Sequence, residues 1–143
     1  MPNSSTICVD ANVAVEVISA TSESQVNVLW EGWLQSGSIL TAPRLIRYEL
    51  VNVINKSRRA KAISNATAID MMDAMLNLPI ALHDSDSVHV RALVLASRFD
   101  LPATYDAHYL ALAEELDCEF WTADKRLARA TDGALPWLRL VDP

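Results

Sequence analysis

The chain predicts an α/β domain, a three-layer α/β/α sandwich around a mainly parallel central sheet, and three observations predict it. Short β-rich runs alternate with longer stretches whose apolar residues recur at three- and four-residue spacing, the pattern of strands handing over to helices. Aspartates stand at two of those hand-overs, Asp10 and Asp124, the end of the strands where open parallel sheets bind ligands. With 143 residues, 51% of them hydrophobic and 21% charged, the chain reads as one domain, residues 1–143, able to bury roughly 70% of its extended surface.

In chain order, Thr6-Ile-Cys-Val-Asp10 is a first strand, and the apolar-rich run from Ala11 to Ile18 is a helix. A second helix is expected from about Ser22 to Gln35, with Val26, Leu29, Trp30, Trp33 and Leu34 on one face; Gly37 stops it, a common use of glycine at a helix C-terminus. Ser38 to Ala42 is the second strand, and Pro43 is placed to open the next helix, where a missing N–H costs nothing. That helix has Leu45, Ile46, Leu50, Val53 and Ile54 as its buried stripe. Asn65 to Leu76 follows, with Ala68, Ile69, Met72 and Met75 as core filling. Leu78 to His83 is a weak third strand; Asp84, Ser85 and Asp86 are capping residues for a helix over Val88 to Phe99.

The rest of the molecule is organised around Thr104 to Ala130, which reads as helix, turn, strand and helix. Tyr109, Leu110, Ala113 and Leu116 follow Asp106 at helical spacing, so Asp106 lies on the apolar stripe of its own helix. Glu119 to Thr122 is a strand, and Asp124 stands at the mouth of the helix Lys125 to Ala130. Thr131 to Pro136 is turn chemistry before a last strand, Trp137 to Val141.

Glu49 is anomalous in the same way as Asp106. It falls inside the apolar arc between Ile46 and Val53, where an ionised carboxylate without a partner is expensive. Either acid of the central stretch alone would be explained by the favourable field at a helix N-terminus, worth roughly 0.3 to 1 kcal/mol. Asp10, Glu49, Asp106 and Asp124 together are predicted to meet over one edge of the sheet. Crowded carboxylates raise one another's pKa unless a cation sits between them. Mg²⁺ supplies it, and Mn²⁺ accepts the same hard ligands; such an ion polarises a phosphodiester and helps generate hydroxide from water.

Other chemistries fit less well. Only 3 glycines are present, without a phosphate loop, a G-x-S-x-G or an H-E-x-x-H. A phospho-acceptor domain of flavodoxin-like topology also puts an aspartate at a strand end, but four acids with an apolar-face glutamate fit it less well. His83, His89 and His108 are scattered and read as satisfied surface or core residues, and Cys8 and Cys118 as small hydrophobes. The opening MPNSSTICVD has no basic n-region or apolar h-region, and no apolar run is long enough for a bilayer, so a cytoplasmic protein is expected. A net charge of −6 argues against coating nucleic acid by electrostatics alone. Yet Arg44, Arg47, Lys56, Arg58, Arg59 and Lys61 are half of the 12 basic residues, with Glu49 the only acid among them. A solvated helix face is the expectation there, and phosphate contacts the alternative.

Over nearly its whole length the chain resembles the PIN domain, and within it the VapC-type toxins of bacterial toxin-antitoxin pairs. The resemblance is carried by I-C-V-D-A-N-V with Asp10 and Asn12, by R-Y-E-L-V-N-V with Glu49, and by Y-D-A-H-Y-L-A-L-A and W-T-A-D-K-R-L with Asp106 and Asp124. It implies a Mg²⁺-dependent endoribonuclease with Asp10, Glu49, Asp106 and Asp124 holding the metal, and Asn12 and Thr122 supporting them through hydrogen bonds. It further implies tRNA or ribosomal RNA as substrate, a cognate antitoxin whose tail covers the acidic cleft, and a homodimer. The competing expectation is a PIN-like module that binds RNA or a protein partner and cuts nothing. For such a partner, Val15, Ile18, Trp30 and Trp33 are candidate surface residues, although packing is the better account of most of them.

Overall fold

The computed structural model describes residues 5–19 and 23–141, so the start expected for the second helix at Ser22 lies outside the described residues. Among those residues the order is β1 (Thr6–Val9), α1 (Ala11–Ser19), α2 (Gln25–Gln35), β2 (Ile39–Pro43), α3 (Leu45–Arg59), α4 (Asn65–Leu76), β3 (Ile80–His83), α5 (Asp86–Arg98), α6 (Tyr105–Glu115), β4 (Glu119–Thr122), α7 (Lys125–Thr131) and β5 (Leu138–Leu140). The five strands form one sheet in the order β3-β2-β1-β4-β5, and every pairing is parallel.

β1 is the centre of this arrangement. Cys8 stands opposite Thr41 of β2 on one side and Phe120 of β4 on the other. The chain winds outward from β1 in one direction through β2 and β3, then returns to the other side through β4 and β5. That reversal makes the carboxyl ends of β1 and β4 a topological switch point, where such sheets leave a crevice. The flavodoxin-like order, with its second strand at the sheet edge, is a different winding.

Alternating side chains send the two faces of the sheet into separate cores. Ile7, Val9 and Leu40 pack with Val13, Val26 and Trp30 from α1 and α2. Cys8 and Phe120 pack on the other side with Ile46, Leu50, Leu95, Tyr109 and Leu110. Each fully buried side chain of this size contributes roughly 1.5–3 kcal/mol. α6 is buried nearly all round, with Ala107 and every residue from Tyr109 to Ala113 inside, and its alanines let it lie close against β1, β2 and β4. The three layers are therefore α/β/α, as the alternation of elements predicts.

Local chemistry sets most boundaries. Ser24 and Ser64 cap α2 and α4, their hydroxyls accepting from the Asn27 and Thr67 amides at 3.1 and 3.0 Å. Gly37, at φ +76°, ends α2, and the Ser38 amide reaches back to the Trp33 carbonyl at 2.9 Å. Pro43 differs from expectation: it is the last residue of β2, opposite His83, and α3 begins after Arg44. A strand end tolerates the missing N–H as well as a helix start does.

The buried stripes of α3 and α4 are narrower than predicted. Val53 and Ile69 are 37% and 66% exposed, because α4 packs on α3 and α1 and only one row of each helix reaches the core. Capping of α5 also departs from expectation. Ser85 is at the cap position but makes no capping bond; its hydroxyl donates to Glu115 at 3.4 Å. Asp84 faces Arg44 and His89 instead. Trp30 is buried and Val15, Ile18 and Trp33 are half-buried, in line with packing.

Candidate active site

Asp10 leaves the end of β1 and is 4% exposed. Its Oδ1 accepts the Ala11 amide at 2.7 Å, and its Oδ2 accepts the Thr122 hydroxyl at 2.7 Å and the Asn12 side-chain amide at 3.3 Å. Thr122 ends the neighbouring strand, β4, so two carboxyl ends at the switch point are joined through one carboxylate. Asn12 completes the link: its Oδ1 accepts the Ala123 amide at 3.0 Å, and its Nδ2 also reaches Thr122 Oγ1 at 3.3 Å.

Asp124 follows two residues later as the cap of α7, Oδ1 accepting the Arg126 and Leu127 amides at 2.9 and 3.3 Å. Asp106 enters from the first turn of α6, and Glu49 from α3, which β2 delivers to the same edge. Together with Asn12 and Val15, these four acids line one cleft of about 300 Å³. Among the described residues no lysine or arginine lines it; the largely exposed Arg126 has its Nε 4.0 Å from Asp124 Oδ1. The sequence-predicted acids are thus brought together, and Asn12 and Thr122 stand directly on Asp10.

Burial, with a smaller contribution from neighbouring carboxylates, shows in the titration of the acids. Burial pushes the Asp10 carboxyl up to about 7; the Thr122 hydroxyl opposes this, and the nearby Asp106 and Glu49 add to it. Burial also raises Glu49, against the pull of a hydrogen bond from Tyr109, with Asp106 adding to the rise. Asp106 is raised by burial and by Asp124, and Arg126 works in the other direction. Three acids with raised pKa face one open cleft, a site where a bound cation would reverse the direction of those shifts. In chemical type they fit a hard divalent ion. As the side chains stand, no three His, Cys, Asp or Glu residues among the described residues are gathered closely enough to hold one, so the acids ring the cleft without being drawn into one coordination sphere.

Tyr109 is the residue that sequence reasoning placed in the core without a role. Its ring is fully buried against Phe120, with centroids 5.6 Å apart, and its hydroxyl donates to Glu49 Oε1 at 2.7 Å. Burial first, then Asp10 and Glu49, raise its pKa far above that of an ordinary phenol, so it remains a donor. The signal was its place one turn after Asp106 on the same stripe. Of the histidines, expected to be satisfied surface or core residues, His89 and His108 are hydrogen-bonded, His108 also to the Thr104 carbonyl at 2.7 Å. His83, His89 and His108 are scattered in sequence yet line one small pocket of about 50 Å³, and His89 Nδ1 lies 2.9 Å from His108 Nε2.

A model of the PIN domain family matches residues 7–133. The chain belongs to the PIN domain family. Among characterised relatives it is similar to Ribonuclease VapC3 of Mycobacterium tuberculosis, in two strains, at 27% identity over 128 residues, covering 90% of this chain and 89% of the relative. Among solved structures, PAE2754 from Pyrobaculum aerophilum superposes with a TM-score of 0.68 at 20% identity, covering 94% of this PIN domain and 91% of that chain. VapBC2 from Rickettsia felis, solved bound to a DNA fragment from their promoter, gives 0.68 at 14% identity over 95% and 97%. At these identities the structural likenesses establish the shared PIN fold.

Proposed function

We propose that this PIN domain is a Mg²⁺-dependent endoribonuclease and the toxin of a toxin-antitoxin pair. The observation that carries the reading is the one cleft lined by Asp10, Glu49, Asp106 and Asp124, three of them with raised pKa. The name of the M. tuberculosis relative supports ribonuclease activity, and the VapBC2 neighbour supports an antitoxin partner.

The four acids would hold the ion, with water completing its shell. Once bound, the ion supplies polarisation of the phosphodiester and an acidified water. The chain's own groups fix the acids in place. Thr122, Asn12 and the Ala11 amide hold Asp10 against rotation. Tyr109 orients Glu49 from below, and the α7 amides hold Asp124. These are supports around the ligands, a shell whose loss commonly costs 10- to 100-fold in metal affinity or activity.

The substrate in this reading is RNA, tRNA or ribosomal RNA by family resemblance, and the setting is cytoplasmic; no helix among the described residues is long and apolar enough to cross a membrane. The cleft is also an electrostatic target for an arginine or lysine of an antitoxin tail, which would occupy the cation's place. We infer a homodimer from the resemblance alone. The test is cleavage of total RNA with Mg²⁺ by wild type and by Asp106→Asn, an isosteric change that removes only charge. The variant should fold and lose cleavage. Wild-type cleavage by a folded Asp106→Asn protein would remove the assignment.

One observation favours a second reading, a binding module without catalysis: the acids are not gathered into a coordination sphere. Absence of metal binding by the partner-free protein would select it.

A further inference from the structure

The basic run that sequence reasoning set aside as a solvated face is more ordered than that. α3 spans 15 residues, a length of about 22 Å. Its buried row is Ile46, Leu50 and Ile54. Another row, Arg44, Tyr48, Asn52, Asn55 and Arg59, is spaced by three or four residues and so lies along one face; every member is exposed, Tyr48 at 71%. The one acid of the helix, Glu49, points into the cleft, and Lys56, seven residues further on, continues the same side of the helix towards its far end. The outward face is therefore free of negative charge in a chain that is −6 overall.

Nor are these cations used internally. Among the described residues Arg47, Lys56, Arg59 and Lys61 make no ion pair, and Arg58 donates to the neutral Asn55 at 2.8 and 3.1 Å. Arg44 lies 4.0 Å from Asp84, both of them well exposed, a pairing of little strength in water. Two hollows are lined in part by members of the row. One, of about 580 Å³, has Arg47, Tyr48, Asn52 and Asn55 on its wall beside the apolar Val51, Met72 and Leu76; the other, of about 780 Å³, is bordered by Arg58, Arg59 and Lys61.

An acidic cleft repels the phosphates it is to cut, so a substrate strand must be held from beside it. We propose that the exposed surface of α3, with Arg44 and Arg59 on the outward row and Lys56 between that row and Glu49 as phosphate contacts, and Tyr48 as a stacking platform, is the track that holds single-stranded RNA against the cleft. The inference rests on the ribonuclease reading for its substrate. Its components are those of sequence-tolerant single-strand binding: cations spaced along a surface, an exposed ring, and side-chain amides that both donate and accept. An acidic protein segment would use the cations but has no bases to stack on Tyr48.

The test uses the full chain carrying Asp10→Asn, which leaves α3 intact, and a fluorescein-labelled single-stranded RNA of about 12 nucleotides, within the span of such sites. Adding Arg44→Gln, Lys56→Gln and Arg59→Gln should weaken binding at least tenfold and reduce the slope of log affinity against log salt by about 2, since each lost contact on a single strand removes roughly 0.7. Tyr48→Ala should weaken binding about tenfold without changing that slope, the signature of lost stacking. In the otherwise wild-type enzyme the triple variant should raise KM and leave kcat within about twofold. Unchanged affinity and slope in the triple variant would overturn the track, and wild-type cleavage would show that the nuclease reading survives. If wild type cuts nothing, the binding arms still decide the track by themselves. Poly-glutamate of matched length binding as tightly as RNA, with Tyr48→Ala without effect on either, would assign the face to an acidic protein and overturn the proposal.

Discussion

At the scale of single residues, Asp10 joins the fold to the chemistry. It is buried, hydrogen-bonded by three donors, and still titrates at about 7. The fold therefore holds its proton more tightly than the unfolded chain, whose aspartates titrate near about 4. A group raised in this way stabilises the fold in acid, and that contribution is lost as pH rises from about 4 through about 7. Melting in EDTA across that window should show a falling Tm, a smaller fall in Asp10→Asn, and the largest recovery on adding a divalent ion at the alkaline end. Tyr109 carries a second prediction. Its hydrogen bond lowers the Glu49 pKa, so Tyr109→Phe should move the acid limb of the pH–rate profile upward and cost roughly 1–3 kcal/mol of stability by chemical denaturation. A profile unmoved by the substitution would detach Tyr109 from the site. The acids themselves were legible in the sequence because each stood on an apolar stripe or at a strand end. The phenol was not, because a tyrosine on a buried stripe looks like packing until the opposite helix is in place.

At the scale of elements, the strands and helices followed from their periodicity, whereas several stops did not. Gly37 ends α2 visibly, but α3, α5, α6 and α7 are followed by Lys61, Asp100, Asp117 and Asp132, all with φ between 44° and 58°. Aspartate tolerates this region better than most residues, so the stops were written in a residue that reads equally as a surface charge. Asp117→Gly should stabilise the protein by about 0.5–1 kcal/mol and Asp117→Val should destabilise it, measured by urea melts; the reverse order would mean that the turn is held by other contacts. The width of the apolar stripe on α3 and α4 was overestimated for a related reason. Periodicity marks residues that can be buried, and Val53 and Ile69 can be, but with α4 resting on α3 and α1 nothing covers them.

At the scale of the whole molecule, the strand order accounts for the location of the site. Because β1 lies between β2 and β4, Asp10, the α3 glutamate and Asp124 arrive from adjacent strands at one edge, and α6 adds Asp106. Sequence alone indicated convergence but not this order, since alternating strands and helices are compatible with several windings. The same topology puts a basic helix beside an acidic cleft in a protein of net charge −6, a separation of charge that total composition conceals. This cleft is proposed to hold a divalent cation, and calorimetric titration of the purified, partner-free protein with Mn²⁺ at pH 8, above the raised pKa of Asp10, tests that most directly. Wild type should bind the ion and a folded Asp10→Asn variant should bind it at least about tenfold more weakly; no binding by wild type, or equal binding by both, would contradict the account.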